Sequence, residues 1–445
     1  MVANQSMSAK IASAGRRLIV TLRPMGYRQR LVDPTITRLL AAVGAISVEG
    51  PKWCGKTWTS LNHAESVFYV SDPTNNFANR TLARLDLSLT LEGAQPRAID
   101  EWQEVPAIWD GVRFHVDQNP GAGQFLLTGS SRPTDDATVH SGTGRIARLR
   151  MRPMTLVESG DATATISLSG LLSGEPIRTA QGGFTLGRIV QLVIRGGWPG
   201  SIDASTENAS EIAASYLDSL THIDISQIDE RRRDPEKVIA VLQSLARNTA
   251  TMVGVSALGR DMASIAGSEP SASTIREYVT LLQRLYVLEQ IPAWHPALRS
   301  PVRLRQAPKR MLADPSLAVA ALRASKDDLQ QDPKTLGFIF ESLVLRDLLV
   351  YAQNLQANLW HYRDDADLEV DAILTMPTGK WAAIEIKLGY PQVDEAAANL
   401  LRLRKKLAAS GDPPPAAMIV VVGIGAIAQI RDDGVCVVPL DLLGP

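Results

Sequence analysis

The chain has 445 residues, too many for one ordinary core, so two or three domains are expected. Hydrophobic residues make up 45% and charged residues 21%, which excludes a disordered chain, and a net charge of −1 excludes any global attraction to nucleic acid. Only Cys54 and Cys436 occur; they form neither a zinc-ligand pair nor a disulfide framework, so a reducing, cytoplasmic setting is expected.

Lys10, Arg16, Arg17, Arg23, Arg28 and Arg30 precede the first acid, Asp33. Organellar transit peptides share that bias, but residues 1–33 are read as a flexible basic leader, and Leu18–Leu22 is too short for a secretory signal. Four short apolar segments follow: Ala45–Glu49, Ser66–Val70, Arg97–Asp100 and Gln124–Thr128. Helical or loop material separates them, as the crossovers of a parallel sheet require, so residues 34–158 are expected to form an α/β domain.

Within it, Gly50-Pro51-Lys52-Trp53-Cys54-Gly55-Lys56-Thr57 satisfies G-x-x-x-x-G-K-[ST] between a strand and a helix signal, and these residues with Trp58 are expected to bind the nucleotide. Glycines let the backbone curl so that its N–H groups converge on phosphates, and the helix N-terminus adds positive potential. Lys56 is expected to reach the β and γ phosphates of ATP, and Thr57 to hold Mg²⁺. Asp100-Glu101 ends a later strand: Asp100 would coordinate Mg²⁺ or its waters, and Glu101 would polarise the attacking water. Thr128, in Leu126-Leu127-Thr128-Gly129-Ser130, is either a γ-phosphate sensor or a strand-ending turn residue.

These three runs together resemble the AAA-type ATPases of bacteria and archaea that carry a nuclease-like C-terminal domain. The resemblance covers most of the chain after about residue 30. It implies an Arg-rich segment after the sensor strand, here Gly144–Arg150, in which Arg145 or Arg148 would act on the γ-phosphate. Relatives of this type often form rings, so a homo-oligomer stays open.

Residues 159–187 are rich in Ser, Gly and Thr and are read as a linker. From Arg188 the pattern turns helical. One helix stops at Arg195-Gly196-Gly197, a helical region spans Glu211 to about Ala246, and Ser271 begins another helix through Leu285. Ser256–Pro292 resembles a winged helix-turn-helix, which would offer Arg276 and Arg284 to DNA or RNA within a region spanning 188–300, although Glu277 weakens that patch.

Residues 301–445 return to α/β character, with a helix over Leu336–Gln353 and strands at Leu359–Arg363, Val370–Thr375, Ala382–Leu388, Ala417–Val422 and Val435–Pro439. The longest apolar run, Met418–Ala428, falls far short of the roughly 20 residues a membrane span needs. Residues two apart on a strand share a face, so Glu385 and Lys387 point one way. If the loop Met376–Lys380 is odd and centred on Thr378, Asp371 lies opposite Glu385, with Cβ atoms about 5 Å apart. A two-residue turn at Thr378-Gly379 would instead pair Asp371 with Ile386. Facing carboxylates call for a cation, and Mg²⁺ suits oxygen ligands. The arrangement resembles the D–E-x-K core of restriction-endonuclease-like nucleases. That resemblance implies Asp371, Glu385 and Lys387 as catalytic, and Asp371, Glu385 and Glu341 as metal ligands. The expected function is ATP hydrolysis coupled to nucleic-acid binding or metal-dependent phosphodiester cleavage; the alternative is a nucleotide-controlled DNA-binding regulator or toxin–antitoxin-like component that does not cut.

Overall fold

A computed structural model describes residues 26–131, 140–177, 179–224, 234–267, 270–297, 306–425 and 427–445. The leader residues Lys10, Arg16, Arg17 and Arg23 lie outside that range. Helix α1 (Asp33–Leu40) opens the described N-terminal domain. The four apolar segments become β1 (Ala45–Glu49), β2 (Ser66–Tyr69), β3 (Arg97–Asp100) and β4 (Phe125–Gly129), joined by β5 (Ile146–Arg150). Their order is β2-β3-β4-β1-β5, and all pairings are parallel. Every residue of β1 and β4 is buried, Ser47, Glu49 and Thr128 included, as central strands covered on both faces require. The crossovers are α2 (Lys56–Asn62), α3 (Thr74–Leu85), α4 (Leu87–Leu91) and α5 (Ala107–Gln118). Because the strands are parallel, the C-terminal ends of β1, β3 and β4 meet at one edge, and that edge carries the phosphate-binding motif.

One face of this sheet packs on α5 through Ile99, Phe125, Leu127, Ile108 and Trp109. The other face, through Ile46, Val48, Leu126 and Leu149, shares a core with the helices that follow.

The segment 159–187 is no linker. After α6 (Leu156–Ser159) it supplies β6 (Ile166–Ser167), α7 (Leu168–Ser173) and β7 (Ala180–Gln181). Leu168, Leu171 and Leu172 are buried in the C-terminal core. The apolar residues are few but fall where two edge pairings need them, which a composition count over the whole segment averages away.

Next come α8 (Leu186–Arg195) and α9 (Thr206–Ser219), then α10 (Pro235–Arg247), α11 (Val255–Ala266) and α12 (Ala272–Arg284). Ser271 caps α12 by accepting from the Thr274 N–H. The antiparallel hairpin of β8 (Leu288–Ile291) and β9 (Lys309–Leu312) follows. The expected boundary at 300/301 falls in the undescribed residues 298–305, and β9 belongs with β8. Helices α13 (Pro315–Leu322) and α14 (Lys326–Gln331) lead into the long α15 (Pro333–Asn354).

The C-terminal sheet contains β10 (Asn358–Arg363), β11 (Glu369–Thr375), β12 (Trp381–Gly389), β13 (Ala417–Ile424), β14 (Ile427–Ile430) and β15 (Cys436–Pro439). Its order is β10-β11-β12-β13-β15-β14-β7, so the would-be linker provides an edge strand. Helix α15 covers one face and α16 (Val393–Ala409) the other. The final β16 (Leu443–Gly444) pairs with β6. Both cysteines are free and buried, and no helix among the described residues is long and apolar enough to cross a membrane.

Candidate functional site

Two groups of side chains have chemical potential, at the edges of the two sheets. At the first, Gly50 lets the loop pass close to β5's exit: a Cβ there would lie 2.3 Å from the Met151 carbonyl oxygen. Gly55 turns with φ +101, a left-handed conformation glycine adopts freely, and starts α2. A cavity of about 1400 Å³ opens over this loop, lined by Lys52, Trp53, Gly55, Lys56, Thr57 and Trp58, with Glu101, Gln103 and Ser130 opposite. The Lys56 ammonium donates to the Gly50 and Pro51 carbonyl oxygens at 3.0 and 2.9 Å. The loop's own carbonyls thus satisfy a buried cation.

The Thr57 hydroxyl donates to Asp100 Oδ1 at 2.7 Å, and the Thr128 hydroxyl donates to the same oxygen at 2.6 Å. Strand β4 lies between β1 and β3, which is why Thr128 reaches Asp100. Thr128 also accepts from the Glu101 backbone N–H at 3.1 Å. It is 1% exposed and does not line the cavity, so its contacts make it a brace for the acid pair. Burial pushes the Asp100 carboxyl above its ordinary range, against the pull of the Thr128 and Thr57 hydroxyls. Glu101 turns into the cavity at φ +58, and its Oε2 accepts from Ser130 at 3.1 Å and from Gln103. Nothing in the local spacing marks Gln103 or Ser130 as partners of Glu101. Thr57 and Asp100 place oxygens side by side next to Lys56, a donor set that fits Mg²⁺.

The arginines proposed for the γ-phosphate lie elsewhere. Arg145 precedes β5, at the sheet edge opposite the phosphate loop, and pairs with Asp117 at 2.7 Å. Arg148 pairs with Glu49 at 2.7 Å and stacks over Trp109 at 4.6 Å. Neither lines the cavity, which takes Arg28, Arg30 and Arg80 instead. Strand polarity decides this for Arg145: β5 is parallel to β1, so its start lies far from the motif that follows β1's end, whereas Arg148 is engaged by Glu49.

The second group centres on β11 and β12. Their loop closes through Met376 N–H to Lys380 O at 2.8 Å and Gly379 N–H to Met376 O at 3.0 Å. The register Ala372↔Ile384 through Thr375↔Trp381 is the odd, Thr378-centred one, and it continues to set Asp371 beside Glu385. The Ile386 N–H donates to Asp371 Oδ2 at 2.8 Å. Lys387 Nζ lies 2.6 Å from Glu385 Oε2 and 3.3 Å from Asp371 Oδ2.

Lys309 of β9, which no sequence motif flagged, enters the same cluster. Its ammonium, 1% exposed, lies 2.6 Å from Glu341, 3.5 Å from Asp371 and 3.7 Å from Glu369. Burial would raise Asp371, but Lys309 and Lys387 outweigh it and hold that carboxyl below its ordinary range. Burial and the Asp371 charge push Glu341 up to about 7 and Glu385 well above its usual value. Lys309 is held above its ordinary value because the three carboxylates outweigh its burial. Among the described residues, no three Asp, Glu, His or Cys side chains gather closely enough to hold a metal ion. Glu341, expected as a ligand, instead receives the Lys309 ammonium. As arranged, the cluster does not fit Mg²⁺, because two ammoniums already occupy the space among its oxygens.

Residues 43–159 match the AAA domain family. Residues 187–328 and 336–443 match two families described only as domains of unknown function, DUF8612 and DUF4143. The uncharacterised proteins Rv2008c of Mycobacterium tuberculosis and Mb2031c of Mycobacterium bovis are each 25% identical over 397 residues, 86% of this chain and 78% of theirs. Among solved structures, the Walker-type ATPase PABY2304 of Pyrococcus abyssi aligns at 11% identity and a TM-score of 0.37, over 67% of this chain and 99% of that one. The RuvB Holliday junction branch migration motor of Thermotoga maritima aligns at 16% and 0.28, over 66% and 95%. The AAA match over the residues that build the phosphate loop supports an AAA-type P-loop domain that binds and hydrolyses nucleotide.

Proposed function

We propose that the protein is a Mg²⁺-dependent ATPase whose nucleotide state controls nucleic-acid binding by the rest of the chain. One observation carries this reading: Lys56, Thr57, Asp100 and Glu101 converge at a single sheet edge, with Thr57 and Asp100 in direct contact at 2.7 Å. On ATP binding, the Lys56 ammonium leaves the two loop carbonyls for the β and γ phosphates, and the backbone N–H groups of Gly55 to Thr57 face the phosphate oxygens. Thr57 and Asp100 would hold Mg²⁺, which when bound neutralises phosphate charge. Glu101, oriented by Gln103 and Ser130, accepts a proton from water as its oxygen attacks the γ-phosphorus and the bond to the β-phosphate oxygen breaks.

The nucleic-acid half rests on α10 to α12 followed by the β8–β9 hairpin, a helix-then-hairpin layout that supports the winged-helix reading. Arg276 is exposed on α12 beside exposed Glu277, so binding by this face is expected to be weak and salt-sensitive. A second reading, phosphodiester cleavage, is favoured by the register that sets Asp371 beside Glu385, with Lys387 on the same side.

Two substitutions test the ATPase. Lys56→Ala is expected to abolish nucleotide binding in calorimetry. Glu101→Gln is expected to keep binding and lower turnover by about 10²- to 10⁴-fold. Unchanged turnover in both variants sinks the reading. Gel shifts of labelled DNA and RNA with and without ATP test the coupling.

A further inference from the structure

Among the described residues, three arginines line the cavity over the phosphate loop: Arg28, Arg30 and Arg80. Two of them are committed elsewhere. Arg30 is buried and donates to Glu158 at 3.0 Å and to the Cys54 and Arg152 carbonyl oxygens, both at 2.8 Å. Arg28 Nη2 lies 2.7 and 2.8 Å from the two carboxylate oxygens of Asp203.

Arg80 is held more loosely. Its Nη2 lies 2.9 Å from Glu104 Oε2, and its guanidinium sits over the Phe77 ring at 4.8 Å. Its Nε is buried and has no hydrogen-bond partner among the described residues. A guanidinium has five N–H donors, and one contact with a carboxylate oxygen uses few of them. The two paired side chains are 28% and 36% exposed, a setting in which solvent screens an ion pair and a more highly charged partner can displace it.

Strand polarity brings Arg80 to the reacting edge. Tyr69 of β2 is in register with Asp100 of β3, so β2 also ends at the edge that carries the phosphate loop. The Asn79 side-chain amide donates to the Tyr69 carbonyl at 2.9 Å, which pins the turn of α3 bearing Arg80 to that exit. Glu104 ends the short turn Trp102–Glu104, and its N–H donates to the Glu101 carbonyl at 3.1 Å. One ion pair therefore separates Arg80 from the turn that carries Glu101 and Gln103, and all four of these side chains line the same cavity.

We infer that Arg80 neutralises the charge that develops on the γ-phosphate, its guanidinium passing from Glu104 to the phosphate oxygens of a nucleotide bound by the same chain. As the bond to the β-phosphate oxygen breaks, negative charge spreads over the transferring and leaving oxygens, and a positioned cation lowers the barrier without giving up a proton. The inference rests on the ATPase reading, in which Lys56 binds the nucleotide and Glu101 activates water.

Calorimetry with ADP, alone and with aluminium fluoride as a mimic of the transferring phosphoryl group, is paired with steady-state ATP turnover. Arg80→Ala is expected to bind ADP within about twofold of the wild type and to bind ADP with aluminium fluoride at least about tenfold more weakly. Its turnover is expected to fall about 10³-fold. Wild-type values for both the mimic and turnover overturn the role of Arg80 and leave the ATPase reading standing; a wild type that neither binds ADP nor turns over ATP sinks that reading itself. Arg80→Ala mixed with Lys56→Ala is expected to stay inactive, and recovered turnover would overturn action within one chain. Should Arg80→Ala lose ADP binding, Arg80→Gln, which keeps the stem of the side chain over Phe77, takes its place with the same expectations. Loss of ADP binding there too refutes the inference, because Arg80 would then hold the site together instead of acting on the γ-phosphate.

Discussion

Glu101 is held in a left-handed conformation that a non-glycine residue adopts at a cost of about 1–2 kcal/mol. The neighbouring contacts offset this: Thr128 takes its N–H, and Gln103 and Ser130 take its carboxylate. In the proposed reaction Gln103 is a positioning residue, so Gln103→Ala is expected to lower kcat about tenfold, with KM for ATP nearly unchanged, in a steady-state ATPase assay. An equal change in KM alone would place Gln103 in binding instead.

His361 offers a pH test at the same scale. It is fully buried, its Nε2 lies 3.2 Å from the Ala307 carbonyl oxygen, and its Nδ1 has no partner. Burial, and then the Lys309 charge, hold its pKa down to about 4, below the ordinary value of 6.5. The unfolded chain therefore binds the proton first, so this contribution is intact above pH 6.5 and lost as pH falls from 6.5 toward 4. Urea melts of His361→Gln should show a flatter acid limb than the wild type across that window, the difference being on the order of 3 kcal/mol.

At the scale of elements, Arg346 joins α15 to α13. Its guanidinium lies 2.9 Å from Asp314 and 2.7 Å from Asp347, and all three side chains are essentially inaccessible. Asp314 also caps α13 and accepts from the Gly197 N–H, while Asp347 accepts from the Leu156 N–H at the start of α6. Arg346→Leu would strand two buried carboxylates, so a loss of about 3–5 kcal/mol is expected in chemical denaturation. A loss below 1 kcal/mol would mean that water or protonation compensates.

The sequence made legible what depends on local spacing. The phosphate loop and Asp100 at the end of β3 follow from a strand end, while turn length narrows the β11–β12 register to two choices between which the structure decides. Lys309 did not follow, because its partners lie 32 residues away on a helix and 62 away on a strand, in a pairing only the hairpin's placement creates. Arg145 misled for the opposite reason: it lies close in sequence to β4 but at the start of β5, which pairs with β1 and begins at the end of the sheet away from the phosphate loop.

At the scale of the whole molecule, the segment 159–187 is woven into the C-terminal sheet. Thr163 N–H donates to the Asp441 carbonyl at 2.7 Å, Gly183 N–H to the Asp441 carboxylate at 2.8 Å, and Phe184 N–H to the Gly423 carbonyl at 3.1 Å. Native-state hydrogen exchange should find these three amides protected by at least about a thousandfold, as a cooperative core demands. Exchange at the free-chain rate would restore the linker reading. The same weave bears on how the chain is made. The Ser167 hydroxyl bonds to the Pro445 carbonyl, 278 residues further on. At about 5–20 residues per second, ribosomes leave β6 without its partner for roughly 15–55 s. During that interval the two-residue strand β6 stays unpaired, and nascent chains are most exposed to mispairing with one another there.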